Sequence, residues 1–181
     1  MPLTVPITIS LLMAAHSAPT SDVTALAKRC ATGAATACFE WGLSLDTQGG
    51  DPAQAGAAFI RACEGGDMRG CNSAGVMLRQ GRGMTRDLPR ARRLVKQACD
   101  AKLAIGCFNH GAMLASGEGG PGNREEALRL LDLACTAELA PACSAAGALT
   151  LEASPVRAQT YFTTACGLND GEGCYNLAQL L

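Results

Sequence analysis

The sequence is poor in the residue types that carry most recognisable chemistry. Aromatic residues make up 4% of its 181 positions and charged residues 17%, with a formal net charge of -1. A base-stacking platform needs more rings, and an electrostatic footprint on nucleic acid or an acidic membrane needs more positive charge, so neither partner is expected. There are two histidines, His16 and His110, and no CxxC, so structural and catalytic zinc sites have no ligand set. No serine is followed three residues later by lysine and there is no K-T-G, which removes the serine β-lactamase signature. The glycines Gly81 and Gly83, and Gly117, Gly119 and Gly120, are not followed by Gly-Lys-Ser/Thr, so they read as turns rather than phosphate loops. No cofactor is implied. The apolar run Leu3–Ala15 is too short for a bilayer and contains Pro6, so no transmembrane span is expected.

Cysteine, by contrast, is abundant. Ten cysteines form five pairs of identical spacing, C-x7-C: Cys30 with Cys38, Cys63 with Cys71, Cys99 with Cys107, Cys135 with Cys143, and Cys166 with Cys174. The first members lie 33, 36, 36 and 31 residues apart, so one small unit is copied along the chain. C-x7-C does not suit zinc, and so many paired cysteines indicate disulfides formed in an oxidising compartment. Five similar pairs also argue against thiol exchange, which usually uses CxxC at a helix N-terminus. Residues 1–18, MPLTVPITISLLMAAHSA, have the apolar run and small residues of a secretion signal without its basic start. We expect a signal peptide or apolar tail over 1–18, a repeat array over 19–181, and a periplasmic or secreted protein.

Aligned on its first cysteine, each unit repeats a helical face. One position back stands Ala62, Ala98, Ala134 or Ala165; four back, Leu26, Phe59, Val95, Leu131 or Phe162; eight back, Ala55, Ala91, Ala127 or Ala158. Twelve back, Asp51, Asp87, Asn123 and Ser154 are suited to cap a helix start, and Pro52 and Pro155 follow two of them. The first cysteine therefore ends a three-turn helix, B. The second opens a helix A, where Gly42, Gly75, Gly111 or Gly147 recurs four residues on and permits close backbone approach. Helix A stops at glycines: Gly49 and Gly50, Gly81 and Gly83, or Gly117, Gly119 and Gly120. The count is ten helices, from a leading B helix near Ser21 to a final A helix over 173–181. Antiparallel neighbours then bring the cysteines of each pair together as five local staples, and the array curves into a right-handed superhelix with a concave face.

The stretch RAC…GCNSAGVMLRQGRGMTRDLPRARRLVKQAC…GCFNHGAMLASGEG resembles the Sel-one-like repeat, a relative of the tetratricopeptide repeat, in its cysteine-rich bacterial secreted form. The resemblance covers about residues 21–181 and implies an all-α, α/α solenoid. Where the family often carries tyrosine, this chain has Leu45, Leu78 and Leu114. It further implies binding of a protein or peptide partner on the concave face. The alternative it implies is β-lactam binding or weak β-lactamase activity, for which the residues themselves offer no motif.

Four groups of residues are candidates for partner contact. Trp41 and His110 share an alignment position, expected either in packing or on the concave surface; Asn109 and Asn176 share another, suited to an extended peptide backbone. Arg79, Arg82, Arg86, Arg90, Arg92, Arg93 and Lys96 concentrate charge, opposed within the segment by Asp87 alone. This run is a solvated face or a dock for an acidic partner or anionic cell-envelope polymer, with Arg90 and Arg93 the named contacts. Leu177, Leu180 and Leu181 offer an apolar end surface.

Overall fold

The structure, a computed structural model, describes residues 20–181; the expected signal segment, residues 1–18, lies outside them. Ten α-helices follow one another: α1 Thr20–Ala31, α2 Ala35–Thr47, α3 Pro52–Glu64, α4 Met68–Gln80, α5 Leu88–Asp100, α6 Ala104–Ser116, α7 Arg124–Thr136, α8 Ala140–Thr150, α9 Pro155–Gly167 and α10 Gly171–Leu180. Among the described residues there is no strand. The odd-numbered helices are the B helices and the even-numbered ones the A helices.

The sequence periodicity is carried directly into the helix ends. Every first cysteine is the last but one residue of a B helix, and every second cysteine (Cys38, Cys71, Cys107, Cys143 and Cys174) is the fourth residue of an A helix. Helix A thus begins about one turn before the cysteine expected to open it, a correction at Cys71, Cys143 and Cys174 as at the other two, and the last helix starts at Gly171 rather than 173. Part of the reason is a cap absent from the expectation: Asp170 accepts from the Gly173 amide at 3.0 Å, and Asp67 likewise from the Arg69 amide at 3.1 Å. Of the expected B-helix caps, Asp51, Asp87 and Asn123 accept from the amides of Ala53, Arg90 and Glu126 at 2.9, 2.9 and 3.0 Å. Ser154 does not; its hydroxyl makes no cap bond and the first turn of α9 closes through its carbonyl, which accepts from Ala158 at 3.0 Å. Gly81 and Gly117 close α4 and α6 in the left-handed conformation, whereas α2 stops at Thr47, before Gly49.

Five disulfides join consecutive helices. Cys30 of α1 is bonded to Cys38 of α2, and Cys63 of α3 to Cys71 of α4, each with Cα atoms 4.5 Å apart. Cys99 of α5 is bonded to Cys107 of α6 at 4.3 Å, and Cys135 of α7 to Cys143 of α8 at 4.7 Å. Cys166 of α9 is bonded to Cys174 of α10 at 4.5 Å. Among the described residues no cysteine is free. Three residues after each first cysteine the chain turns through positive φ, at Gly33, Gly66, Lys102, Glu138 and Asn169. The left-handed residue is thus a fixed part of the staple, whether or not glycine occupies it.

The core is a repeated exchange of small for large. A Cβ at Gly42 would lie 2.8 Å from the Phe59 ring, at Gly75 2.7 Å from Val95, at Gly111 3.1 Å from Leu131 and at Gly147 2.5 Å from Phe162. Each glycine of helix A therefore receives the large residue four back from the next first cysteine. At the stapled end, Gly70, Gly106 and Gly173 would place a Cβ 2.5, 2.7 and 2.4 Å from Ala62, Ala98 and Ala165. These alanines are fully buried, so two helices meet backbone to backbone there.

Curvature follows from which helices touch. Beyond its chain neighbours, each A helix packs on the next A helix, α2 on α4, α4 on α6, α6 on α8 and α8 on α10, while among B helices only the backbones of α1 and α3 come close. The A helices are the short, inner side of the arc and line its concave face; the B helices splay apart on the outside.

Candidate partner-binding surfaces

The concave face is built from alternate turns of the A helices. Between α6 and α8 lies an open cleft of about 570 Å3 whose floor is mainly small or apolar: Ala112, Ala115, Ala145, Ala148 and Leu149, with Ser116, Arg124 and Glu152 at its margin. Ala112 and Ala148 stand five residues beyond their second cysteines, Cys107 and Cys143, and the same position holds Val76 and Leu43, the latter exposed at 44%. Arg124 is anchored at this rim by donating to the Leu149 carbonyl. These alanines carry no signal in the sequence, because buried and concave-face alanines look alike in a helix.

Asn109 is placed between A helices rather than free on their surface. Its Nδ2 donates to Asn72 Oδ1 at 2.8 Å, and both side chains are buried at 9% exposure. The pair ties α4 to α6. Asn176, on the last helix, is half-buried. Trp41 is half-buried against Cys30, Cys38 and Ala62, held in packing at the first staple.

His110 points the other way, out through the gap between α5 and α7, not into the concave face. It lines a cleft of about 450 Å3 with Arg92, Arg93 and Lys96 of α5, Leu114 of α6, the Gly119–Pro121 turn and Glu126 of α7. Burial, then the positive charges of Arg92 and Lys96, hold its pKa below the ordinary histidine value. The cleft lining contains no serine, threonine or cysteine, so no nucleophile is paired with this imidazole. Among the described residues no three histidine, cysteine or carboxylate groups are arranged to hold a metal.

The basic run is largely engaged. Arg79 pairs with Glu118 at 2.8 Å, Arg82 with Asp46, and Lys96 with Asp100 at 2.7 Å. Arg86 donates to the Arg79 carbonyl at 3.1 Å and Arg92 to the Pro121 carbonyl at 2.9 Å. Three carboxylates from outside the segment thus join Asp87 in opposing a run that looks almost unopposed in sequence. Arg90 and Arg93 keep guanidinium groups with no partner among the described residues, both exposed. Arg69 closes the opposite end of α4: it grips Asp67 at 2.6 Å and lies 4.2 Å over the Phe39 ring, and that bond holds the Asp67 carboxyl below its usual range.

Paired antiparallel helices, a staple at every B-to-A turn and curvature set by A-on-A packing define an α/α solenoid of the tetratricopeptide type. The Sel1 repeat model matches residues 69–103 and 104–139, each spanning one A helix and the following B helix. Residues 69–139 thus carry two consecutive Sel1 repeats. No curated protein matches the sequence. Solved structures do match. The protective antigen c5321 of uropathogenic Escherichia coli, with an SLR fold, aligns at TM-score 0.77 and 18% identity over 87% of this chain and 36% of its own. A Sel1 repeat protein from Oxalobacter formigenes aligns at TM-score 0.75 and 22% identity over 86% and 68%. Cysteine-rich protein B of Helicobacter pylori aligns at 0.56 and 23% over 68% and 90%. The chain thus spans about a third of the length of the Escherichia coli protein. At these identities the likeness is one of fold.

Proposed function

We propose that the chain is a disulfide-stapled scaffold of the periplasm or extracellular space that binds a protein or peptide through its concave face. The observation that carries this reading is the cleft between α6 and α8, where small side chains leave backbone-deep room for a partner's apolar side chain. Solenoids present partners with such continuous inner surfaces, and small-residue floors admit protruding side chains. The setting is supported by five disulfides that use every described cysteine, and by the lack, among the described residues, of a helix long and apolar enough to cross a membrane.

The experiment is in-cell crosslinking with a photoreactive residue at Ala148, on the cleft floor, and at Arg61, on the exposed face of α3. Partner adducts formed at Ala148, absent at Arg61 and removed by Ala112→Glu are expected. Equal adducts at both positions, or adducts unaffected by A112E, would contradict a concave binding face. Fractionation of the same cells should find the chain outside the cytosol with its thiols blocked to alkylation.

A further inference from the structure

The α5–α7 gap is a second site, on the opposite face of the array. Splaying of the B helices opens an equivalent gap in each repeat, but the others are filled or bridged. The residue of helix A facing outward at His110's position is Ala74 in α4 and Ala146 in α8, both fully buried, while Trp41 fills its gap in α2. Between α7 and α9, Tyr161 donates to Asp132 at 2.7 Å and accepts from Arg157 at 3.1 Å, linking the two helices directly. No such bridge joins α5 to α7 among the described residues. Glu126 turns instead to Arg129 of its own helix, at 2.7 Å through both oxygens.

We propose that this cleft binds a carboxylate carried on an apolar stem, with Arg93 as its principal anchor. The lining holds Arg92, Arg93 and Lys96 against Glu126, an excess of positive charge in a space of about 450 Å3, the size of a small-molecule site. Arg92 is held by the Pro121 carbonyl at 2.9 Å and keeps an unneutralised charge at the cleft, whereas Lys96 is paired with Asp100 at 2.7 Å and contributes less. Arg93 is unpaired, and a guanidinium fork takes a carboxylate through two parallel hydrogen bonds. Pro89, Leu114 and Pro121 line the rest of the cleft and suit an apolar stem. Glu126 within the lining disfavours phosphate or a polyanion, whose second charge would meet it. The enclosed imidazole of His110 is available as a hydrogen-bonding group and reporter.

Charge complementarity makes the pH response specific. The charged groups acting on His110 are Arg92, Lys96 and Asp100 of α5 and Glu126 of α7, the last backed by Arg129. A bound anion favours the imidazolium, so carboxylate binding tightens as pH falls and raises the His110 pKa.

The test is proton NMR of the full oxidised chain, in which His110 and His16 are the only histidines. The probes are N-acetyl-leucine, which presents a chain terminus, N-acetyl-glutamic acid α-amide, which presents an acidic side chain, N-acetyl-leucine amide and inorganic phosphate. Saturable movement of the His110 resonance by at least one carboxylate is expected, with none from the amide. Arg93→Gln should weaken binding about tenfold or more, the loss of one charge-assisted pair, and Arg61→Gln should not. The tighter of the two carboxylates identifies the source as terminus or side chain. No saturable shift, an equal shift from the amide, tighter binding of phosphate, or equal weakening in R93Q and R61Q would overturn the proposal.

Discussion

Gly147 of α8 and Phe162 of α9 occupy one volume: a Cβ on Gly147 would stand 2.5 Å from Phe162 Cε1, and the ring is 1% exposed. Phe162 has no open side to move toward. Gly147→Ala is therefore expected to lower stability by about 1–3 kcal/mol despite alanine's better helix propensity. Gly167→Ala, at the end of α9 with nothing within 4 Å of the new Cβ, is expected to raise it by about 0.5–1 kcal/mol. Thermal melts of the two variants read opposite signs from the same substitution.

The staples make a second prediction. Each disulfide joins cysteines eight positions apart, and loop entropy assigns about 2.6 kcal/mol to a nine-residue ring. Cys99→Ser with Cys107→Ser should lower the denaturation midpoint by an amount corresponding to about 2–3 kcal/mol while helicity is retained. Non-reducing peptide mass analysis should recover all five local bridges from the parent chain, including Cys63 with Cys71, Cys135 with Cys143 and Cys166 with Cys174. A linkage between different pairs would refute the hairpin arrangement.

Lys102, Glu138 and Asn169 hold φ of 67°, 60° and 64° where earlier repeats have Gly33 and Gly66. A side chain in the left-handed region costs about 1–2 kcal/mol, partly offset by the lower flexibility it gives the unfolded chain. Glu138→Gly should therefore raise stability by a few tenths to about 1 kcal/mol, and Gly66→Val should lower it by at least as much, in urea titrations.

His110 predicts a pH dependence with a definite sign. Its folded pKa is lowered by burial and by Arg92 and Lys96, so the unfolded chain takes up its proton first. The contribution is complete above the unfolded value near pH 6.5 and is lost as pH falls through the folded value. Stability should decline with acidification from about pH 7, and His110→Gln should remove that part of the slope in melts taken across the range.

Much of this architecture is legible in the cysteine register. The intervals that align Phe59, Val95, Leu131 and Phe162 also mark the glycines that receive them, because a helix repeats its face every three or four residues. The caps Asp51, Asp87 and Asn123 are legible for the same reason. Asp67 and Asp170 are not, because an aspartate four before the second cysteine, Cys71 or Cys174, recurs in only two of five repeats. The left-handed turn is hidden because glycine occupies it only twice. The basic run looks almost unopposed in sequence for a different reason: Asp46 and Glu118 reach it from other segments, and a one-dimensional count of charges cannot include them.

The sequence by itself determined the unit, its ten helices and its staples, since helix period, capping chemistry and a fixed cysteine interval are local properties. Tertiary structure alone decided which side of each unit faces a partner. The even-numbered helices pack on one another along the array while the odd-numbered ones spread. That asymmetry hides Asn109 against Asn72, turns His110 outward between α5 and α7, and leaves Arg93 without a partner beside it. These outcomes depend on distances between residues of different repeats, far apart along the chain, which no local pattern records.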